Sequence, residues 1–292
     1  MTANGGNRTI RAGLVGAGIQ LSSSPAMHEG EGRAQQLQYS YELFDLDLIA
    51  DGAKALPGVI ANAEQSGFTG LNVTFPCKQA VIPLLHELSP EAQALHSVNT
   101  VLFRDGRRIG HNTDWYGFAE SFRRTFADAP VQRVALVGAG GAGAAVAYAA
   151  LKLGAQHLYI MDSDFVRSAA LADRMAQQFP ERHISACKDL ATAMSGVDGV
   201  IHATPVGMLK LPGLAIPGEF LKPPLWVADV VYVPLETELL RIARLHGCRI
   251  LDGSGMAVFQ AALAFELFNG ITPDTERMSN AFRSMVNANA AA

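Results

Sequence analysis

The stretch Val134-Ala135-Leu136-Val137-Gly138-Ala139-Gly140-Gly141-Ala142-Gly143 decides how the rest of this 292-residue chain is read. A short apolar run bounded by glycines predicts a buried strand, and the alanine-rich segment after it predicts a helix over Ala142–Leu153. In a G-x-G-x-x-G turn, Gly138 makes the tight bend, Gly140 lets the backbone approach a pyrophosphate, and Gly143 lets helix and strand pack closely. The helix N-terminus, from Gly141 and Ala142 onward, then supplies N–H donors and a favourable dipole for phosphate. Glycine spacing alone is weak evidence. It gains weight from Asp162, which ends the next predicted strand, His157–Met161, about 20 residues on, where a carboxylate accepts from a ribose 2′-hydroxyl. A carboxylate there repels a 2′-phosphate, so the turn reads as an NAD site in preference to NADP. Asp162 as a helix cap is the competing reading, but Asp164 can take that role.

Outward from this stretch, the pattern alternates. Strands are expected at Arg133–Val137, His157–Met161, Gly199–His202, Leu225–Val231 and Arg249–Leu251, with helices at Phe165–Gln178, Asp189–Met194 and Thr237–His246 between them. This is the signature of βαβ units and a parallel sheet covered on both faces. Toward the N-terminus, Ala12–Val15, Tyr39–Phe44 and Phe68–Val73 read as strands, and Met27–Gln36, Asp51–Ala63 and Gln79–Leu88 as helices. Val98–Phe103 and Arg108–His111 form a hairpin around Asp105-Gly106, a pair suited to a type I′ turn. A helix over Asn112–Phe126 links the halves. The helices Met256–Phe268 and Pro273–Met285 follow the last strand and are expected to pack back on the first domain, with Asn287–Ala292 fraying. The expected organisation is therefore α/β: residues 1–112 with the C-terminal helices 255–292 as one domain, and a doubly wound, Rossmann-type dinucleotide domain over 113–254.

Composition excludes several classes. The chain has 49% hydrophobic and 17% charged residues, enough apolar surface for a folded core. A net charge of −4 offers no basic footprint for nucleic acid. Cys77, Cys187 and Cys248 are too few and too scattered for a disulfide framework or a cysteine-based zinc site, and no metal site is expected. The first ten residues lack a basic segment followed by an apolar one, so a cytoplasmic location is expected. The uncharged run Val134–Leu151 is rich in Ala, Gly and Val where a membrane span would carry Leu, Ile and Phe.

Three polar clusters accompany the glycine turn. Gly16-Ala17-Gly18 follows an apolar strand but has Leu21 where a third glycine would stand. Ser22-Ser23-Ser24-Pro25 then offers hydroxyl donors at a helix start, suited to a carboxylate. Gly70-Leu71-Asn72-Val73-Thr74-Phe75-Pro76-Cys77-Lys78 ends a strand and begins a helix, placing Asn72, Thr74 and Lys78 at the edge where α/β sheets bind ligands. Ser97-Val98-Asn99-Thr100 and His111-Asn112-Thr113-Asp114 flank the hairpin.

Together these segments resemble the shikimate/quinate dehydrogenase family over nearly the whole chain. S-x-S-P, N-V-T-x-P-x-K, V-N-T, N-T-D-x-x-G, the glycine turn, A-T-P-x-G-M, D-x-V-Y-x-P-x-x-T and G-M-x-x-x-Q-A all occur in the family's order. The resemblance implies that Ser22 and Ser24 hold a substrate carboxylate. It implies that Asn72, Thr74, Asn99, Asp114 and Gln260 hold ring hydroxyls with Tyr232 nearby, and that Lys78 and Asp114 form the catalytic pair. Gly138, Ala139, Gly140, Gly141, Ala142, Gly143 and Asp162 would bind the dinucleotide. Thr204, Pro205, Val206, Gly207 and Met208 would line its path, and Gly255 and Met256 would lie near the nicotinamide.

The chain departs from the family pattern at several places. Gly18 and Leu21 replace a frequent proline and histidine, His96 precedes V-N-T where Gly-Ala is usual, and His202 replaces an asparagine before A-T-P. Ser163-Asp164 stands where NADP-using members carry Asn-Arg-Thr, which favours the NAD-using branch. Ser24 is the hydroxyl of shikimate-preferring members, whereas quinate-oxidising ones often carry threonine. The expected function is hydride transfer between NAD and the ring 3-hydroxyl of shikimate or quinate. The alternatives are a different ring substrate, for instance amino-substituted, discriminated by His96, and a non-catalytic NAD or ligand sensor. The sequence leaves the oligomeric state open, with a homodimer as one option.

Overall fold

The computed structural model describes residues 9–291, apart from the side chains of 287 and 289–291. The expectations placed on the first eight residues and on Ala292 lie outside them. The chain is an α/β protein of two compact units, Met1–Thr113 with Gln260–Ala292, and Asp114–Phe259.

The first unit runs β1 (Thr9–Gly16), α1 (Ser24–Ala34), β2 (Gln38–Asp45), α2 (Leu56–Gln65), β3 (Gly70–Val73), α3 (Cys77–Ala80), β4 (Glu87–Leu88), α4 (Pro90–Leu95), β5 (Thr100–Arg104) and β6 (Arg107–His111). Its six strands lie in the order β2-β1-β3-β5-β6-β4. The strands β1, β2 and β3 are parallel, and β5 runs against both β3 and β6. Asp105 and Gly106 both have positive φ, as the type I′ turn requires. The register aligns Asn72 with Thr100 and Thr100 with His111. Because β5 runs backwards, its start meets the ends of β3 and β6, and three separated motifs reach one sheet edge.

The second unit begins with α5 (Asp114–Thr125) and continues β7 (Arg133–Val137), α6 (Gly141–Leu153), β8 (His157–Met161), α7 (Phe165–Gln178), β9 (His183–Ala186), α8 (Leu190–Ala193), β10 (Gly199–His202), β11 (Trp226–Asp229), α9 (Glu238–Leu245) and β12 (Arg249–Leu251). All six strands are parallel in the order β12-β11-β10-β7-β8-β9, the doubly wound arrangement whose strand order reverses between β7 and β10. The uncharged run resolves into β7 and α6. Trp226 is buried against Phe122, and its indole N–H donates to the Pro130 carbonyl at 2.8 Å, so a large apolar ring is enclosed with its one donor satisfied. Among the described residues no helix is long and apolar enough to cross a membrane.

Two helices close the chain, α10 (Ser254–Asn269) and α11 (Thr275–Ala291). Within the first unit, Ala264 and Phe268 join Ala12, Leu14, Tyr41 and Leu102 in a core on one face of the sheet. Leu71 and Val73 pack with Leu56 and Ile60 of α2 in a second core. The buried Glu31 of α1 pairs with Arg277 of α11 at 2.7 Å and accepts from the Asp274 N–H at 2.9 Å, which ties the terminal helix down. The helix α11 runs on to Ala291, beyond the limit at Met285 expected from the sequence.

Other expectations are corrected locally. The helix expected over Gln79–Leu88 ends at Ala80. Pro83 lies in a single 3₁₀ turn, Leu85 turns extended, and Glu87–Leu88 becomes β4. The helix α4 went unforeseen, although Ser89-Pro90 is a good helix start and Ser89 Oγ accepts the Ala92 N–H at 3.2 Å. Strand β9 was also unforeseen. It is a short sheet-edge strand with no buried residue, so it lacks an apolar pattern.

Candidate active site

In the second unit the glycines divide their work as the motif requires. Gly138 has φ +111°, and a Cβ there would stand 2.6 Å from the Ala203 carbonyl oxygen. A Cβ on Gly143 would collide with the Gly138 carbonyl, so this glycine seats α6 against the turn. Gly140 and Gly141 are exposed, and a Cβ on either would meet open space. That gap above the first turn of α6 is a cradle for a phosphate group.

A cavity of about 490 Å³ adjoins it, lined among others by Gly138, Gly140, Asp162, Thr204, Pro205 and Val206. Asp162 Oδ2 accepts the Ala139 N–H at 2.7 Å, and Oδ1 accepts from the Asp164 N–H at 2.9 Å and the Ser163 hydroxyl at 3.4 Å. The carboxylate thus braces the turn and still faces the cavity with acceptor capacity in hand. Asp164 caps α7 through the Val166 N–H at 3.0 Å, so capping does not fall to Asp162. These residues fit a dinucleotide. Ser163 also lines the cavity, as does Arg167, which was not singled out from the sequence; an arginine in the first turn of the following helix was the available signal.

The remaining expected cofactor residues lie outside that lining. Gly207 has φ +95° and the exposed Met208 bridges to Leu211 in the loop after β10. Gly255 and Met256 open α10, and a Cβ on Gly255 would strike the Ser121 hydroxyl, so close packing accounts for that glycine.

In the first unit, the edge formed by β3, β5 and β6 carries one continuous hydrogen-bond network. Tyr41 donates to Asn72 Oδ1 at 2.8 Å, and its hydroxyl also bonds the Ser24 side chain. Asn72 Nδ2 donates to Thr100 Oγ1 at 3.0 Å, and Thr100 donates to Asn99 Oδ1 at 3.1 Å. Asn99 Oδ1 accepts the Thr113 N–H at 2.8 Å, while Asn99 Nδ2 donates to Thr113 Oγ1 at 2.9 Å and Gln260 Oε1 at 3.5 Å. Ser24, Asn72, Asn99 and Gln260, four expected substrate residues from separate motifs, are therefore joined through Tyr41, Thr100 and Thr113. The last three had been given no role. Asn72 and Asn99 each have both ends of the amide engaged within this network. Ser22 Oγ accepts the Ser24 N–H at 3.2 Å at the half-buried start of α1. Thr74 follows β3 directly, and Lys78 lies half-buried in α3, its carbonyl accepting the Val98 N–H at 2.9 Å.

His96 is exposed at the C-cap of α4 with φ 49° and ψ 43°. This left-handed position is one where glycine is ordinarily favoured, so the departure there has a backbone consequence. In the second unit, Asp114 is buried as the first residue of α5. Desolvation, followed by the nearby negative charge of Asp114, raises the Tyr232 phenol above its ordinary range, so it remains a neutral donor.

An open glycine turn and a cavity-facing carboxylate on a doubly wound sheet, joined in one chain to a unit with a polar, donor-rich sheet edge, define a two-domain nicotinamide-dependent oxidoreductase. Residues 14–101 match the shikimate dehydrogenase substrate binding domain, and residues 253–281 the shikimate 5′-dehydrogenase C-terminal domain. A shikimate dehydrogenase (NADP(+)) of Streptomyces avermitilis is 53% identical over 91% of this chain and 92% of its own. A quinate/shikimate dehydrogenase (NAD(+)) of Corynebacterium efficiens is 45% identical over 95% and 99%. The solved quinate dehydrogenase of Corynebacterium glutamicum in complex with NAD superposes with a TM-score of 0.91 at 43% identity, covering 94% of this chain and 99% of that one. The chain belongs to the shikimate/quinate dehydrogenase family.

Proposed function

We propose that the protein interconverts shikimate or quinate with the corresponding 3-dehydro acid, using NAD. The observation that carries this reading is the network joining Ser24, Asn72, Asn99 and Gln260 on one sheet edge. Its rigid amides and hydroxyls suit a small, polyhydroxylated carboxylate. Ser22 and Ser24 hold the carboxylate, and Thr74, Asn99 and Gln260 the ring hydroxyls, with Tyr232 as a neutral donor. Lys78 moves the proton of the reacting hydroxyl, and Asp114 orients Lys78 and the substrate.

Gly138 to Gly143, Asp162 and Thr204 to Met208 hold the dinucleotide, with Gly255 and Met256 toward its nicotinamide end. Bound there, it supplies the hydride acceptor. NAD is favoured over NADP because Asp162 faces that end of the cavity, while the cation there, Arg167, is paired with Asp164 at 3.4 Å. A 2′-phosphate meets net negative charge there.

Purified protein mixed with NAD or NADP and with shikimate or quinate, followed at the reduced-nicotinamide absorbance across pH, tests the reading. Turnover favouring NAD is expected. Measurable NAD binding with no turnover of either acid would overturn the substrate assignment, and equal use of NADP would overturn the cofactor preference.

A further inference from the structure

His202 ends β10 beside the dinucleotide cavity, buried to 1% exposure, and the proposed chemistry leaves it unused. Its Nδ1 lies 2.9 Å from Asp229 Oδ1, its register neighbour on β11, and its Nε2 lies 2.5 Å from Thr204 Oγ1. Asp229 is also buried, and its carboxylate is already organised. Oδ1 accepts the Val231 N–H at 3.0 Å and Oδ2 accepts the Thr237 hydroxyl at 2.7 Å. A carboxylate only accepts, so Nδ1 carries a ring proton, and in the tautomer with that proton alone Nε2 is an acceptor. Thr204 must then donate its hydroxyl proton inward to Nε2, while its oxygen accepts the Val206 N–H at 3.2 Å. One lone pair of Thr204 remains, and Thr204 lines the cavity.

We propose that His202 is a positioning residue for the dinucleotide: through the Asp229–His202–Thr204 chain it fixes Thr204 as a hydrogen-bond acceptor toward the cavity, selecting a donor group of the bound dinucleotide. Were the ring doubly protonated, or protonated on Nε2, the Thr204 proton would be released and the cavity would face a donor instead. Asparagine at 202 is too short to span both Asp229 and Thr204 in this way, so the polarity of the hydroxyl depends on the histidine. The inference rests on the dinucleotide reading of this cavity, and its test separates the two.

The first measurement is NAD affinity of the wild-type apoenzyme by calorimetry, without ring substrate. No binding would overturn the cavity assignment itself. Given binding, Thr204→Val is expected to weaken it about fivefold, the worth of one ordinary hydrogen bond, and Thr204→Ser to restore it. His202→Asn should weaken binding by a similar factor, and the double variant should bind no worse than the weaker single one, because both changes remove one interaction. Long-range proton–nitrogen correlation on ¹⁵N-histidine-labelled apoenzyme should show His202 protonated at Nδ1 alone. An Nε2-protonated ring, additive losses in the double variant, or Thr204→Val lowering the melting temperature with unchanged NAD affinity would each overturn the proposal. Because Thr204 lines a cavity, its isosteric replacement keeps the test valid even if the His202 variant misfolds.

Discussion

The molecule carries two glycine turns built to one plan, and they end in opposite states. In each, a strand runs into Gly-Ala-Gly, and a carboxylate at the end of the neighbouring parallel strand reaches back to the turn. Asp45 does this for Gly16-Ala17-Gly18, and Asp162 for Gly138-Ala139-Gly140. Asp45 is buried and spent. It accepts from the Gly18, Ile19 and Asp47 N–H groups and the Gln20 amide, at 3.0 to 3.2 Å. Burial pushes its carboxyl up, but these four bonds outweigh burial and hold it below the ordinary range. Asp162 is half-buried, faces a cavity and keeps acceptor capacity. The helix after the second turn begins at Gly141, directly beyond Gly140, whereas α1 waits until Ser24. Two turns with a glycine pattern and an acid across from them thus differ in where the helix starts and in whether the acid keeps acceptor capacity.

The largest effect that divides the units is expected from Lys78→Ala. Turnover should fall about 10²- to 10⁴-fold, as loss of a proton-transfer group does, while the dissociation constants of NAD and ring substrate stay near wild type. Retention of most of kcat would remove Lys78 from the chemistry.

Acid should separate the units next. Burial lowers His28 in the first unit from 6.5 to about 3, so the unfolded chain takes up that proton first. Stability is then intact above about pH 6.5 and is lost as pH falls toward 3, a contribution on the order of 5 kcal/mol. The depressed Asp45 adds a second loss that begins as pH falls below about 3.8, where the unfolded chain starts to bind that proton, and continues down through its lowered native range. Both tryptophans, Trp115 and Trp226, lie in the second unit. Acid titration should therefore show far-ultraviolet circular dichroism changing before tryptophan fluorescence, and His28→Phe should flatten the early change. Coincident transitions in the wild type would break the distinction.

The turns themselves can be exchanged for tests. Gly140→Ala and Asp162→Ala should each weaken NAD by about tenfold, Asp162→Ala more for NAD than for NADP, as expected when a cradle is filled or a charge-assisted hydrogen bond is lost. Asp45→Ala should lower the melting temperature and leave NAD affinity unchanged. Equal loss of NAD and NADP in the Asp162 variant would undo the ribose assignment. The smallest effect is His96→Gly, expected to change stability by less than about 1 kcal/mol, in the stabilising direction, with the choice between shikimate and quinate unaltered. Altered ring preference would return His96 to the substrate site.

Much of the fold was legible because the decisive elements are local. Strands β7, β8, β10 and β12 match their expected limits, each being a short, largely apolar run with clear punctuation. What was illegible lacked that signal. Strand β9 exists because β8 offers it an edge, and β4 because β6 does. In the site, hydroxyls and amides were legible as motifs, but which of them face a ligand and which hold one another was not. Asn72 was read as a ligand group, yet its amide is held at both ends by Tyr41 and Thr100. Tyr41 was invisible because it lies in β2, a mixed strand separated from β3 by β1, and only the assembled sheet brings its hydroxyl to Asn72.

Sequence alone determined the α/β class, the family and the strand–glycine turn–helix at Val134–Leu153, because glycine spacing, strand patterning and motif order are properties of neighbouring residues. Tertiary structure alone decided that Asp45 is saturated while Asp162 is not, that His96 serves a left-handed helix cap, and that His202 reaches Thr204 and Asp229 together. Those outcomes depend on how many donors converge on one acceptor, and convergence is set by strands and helices meeting from distant parts of the chain.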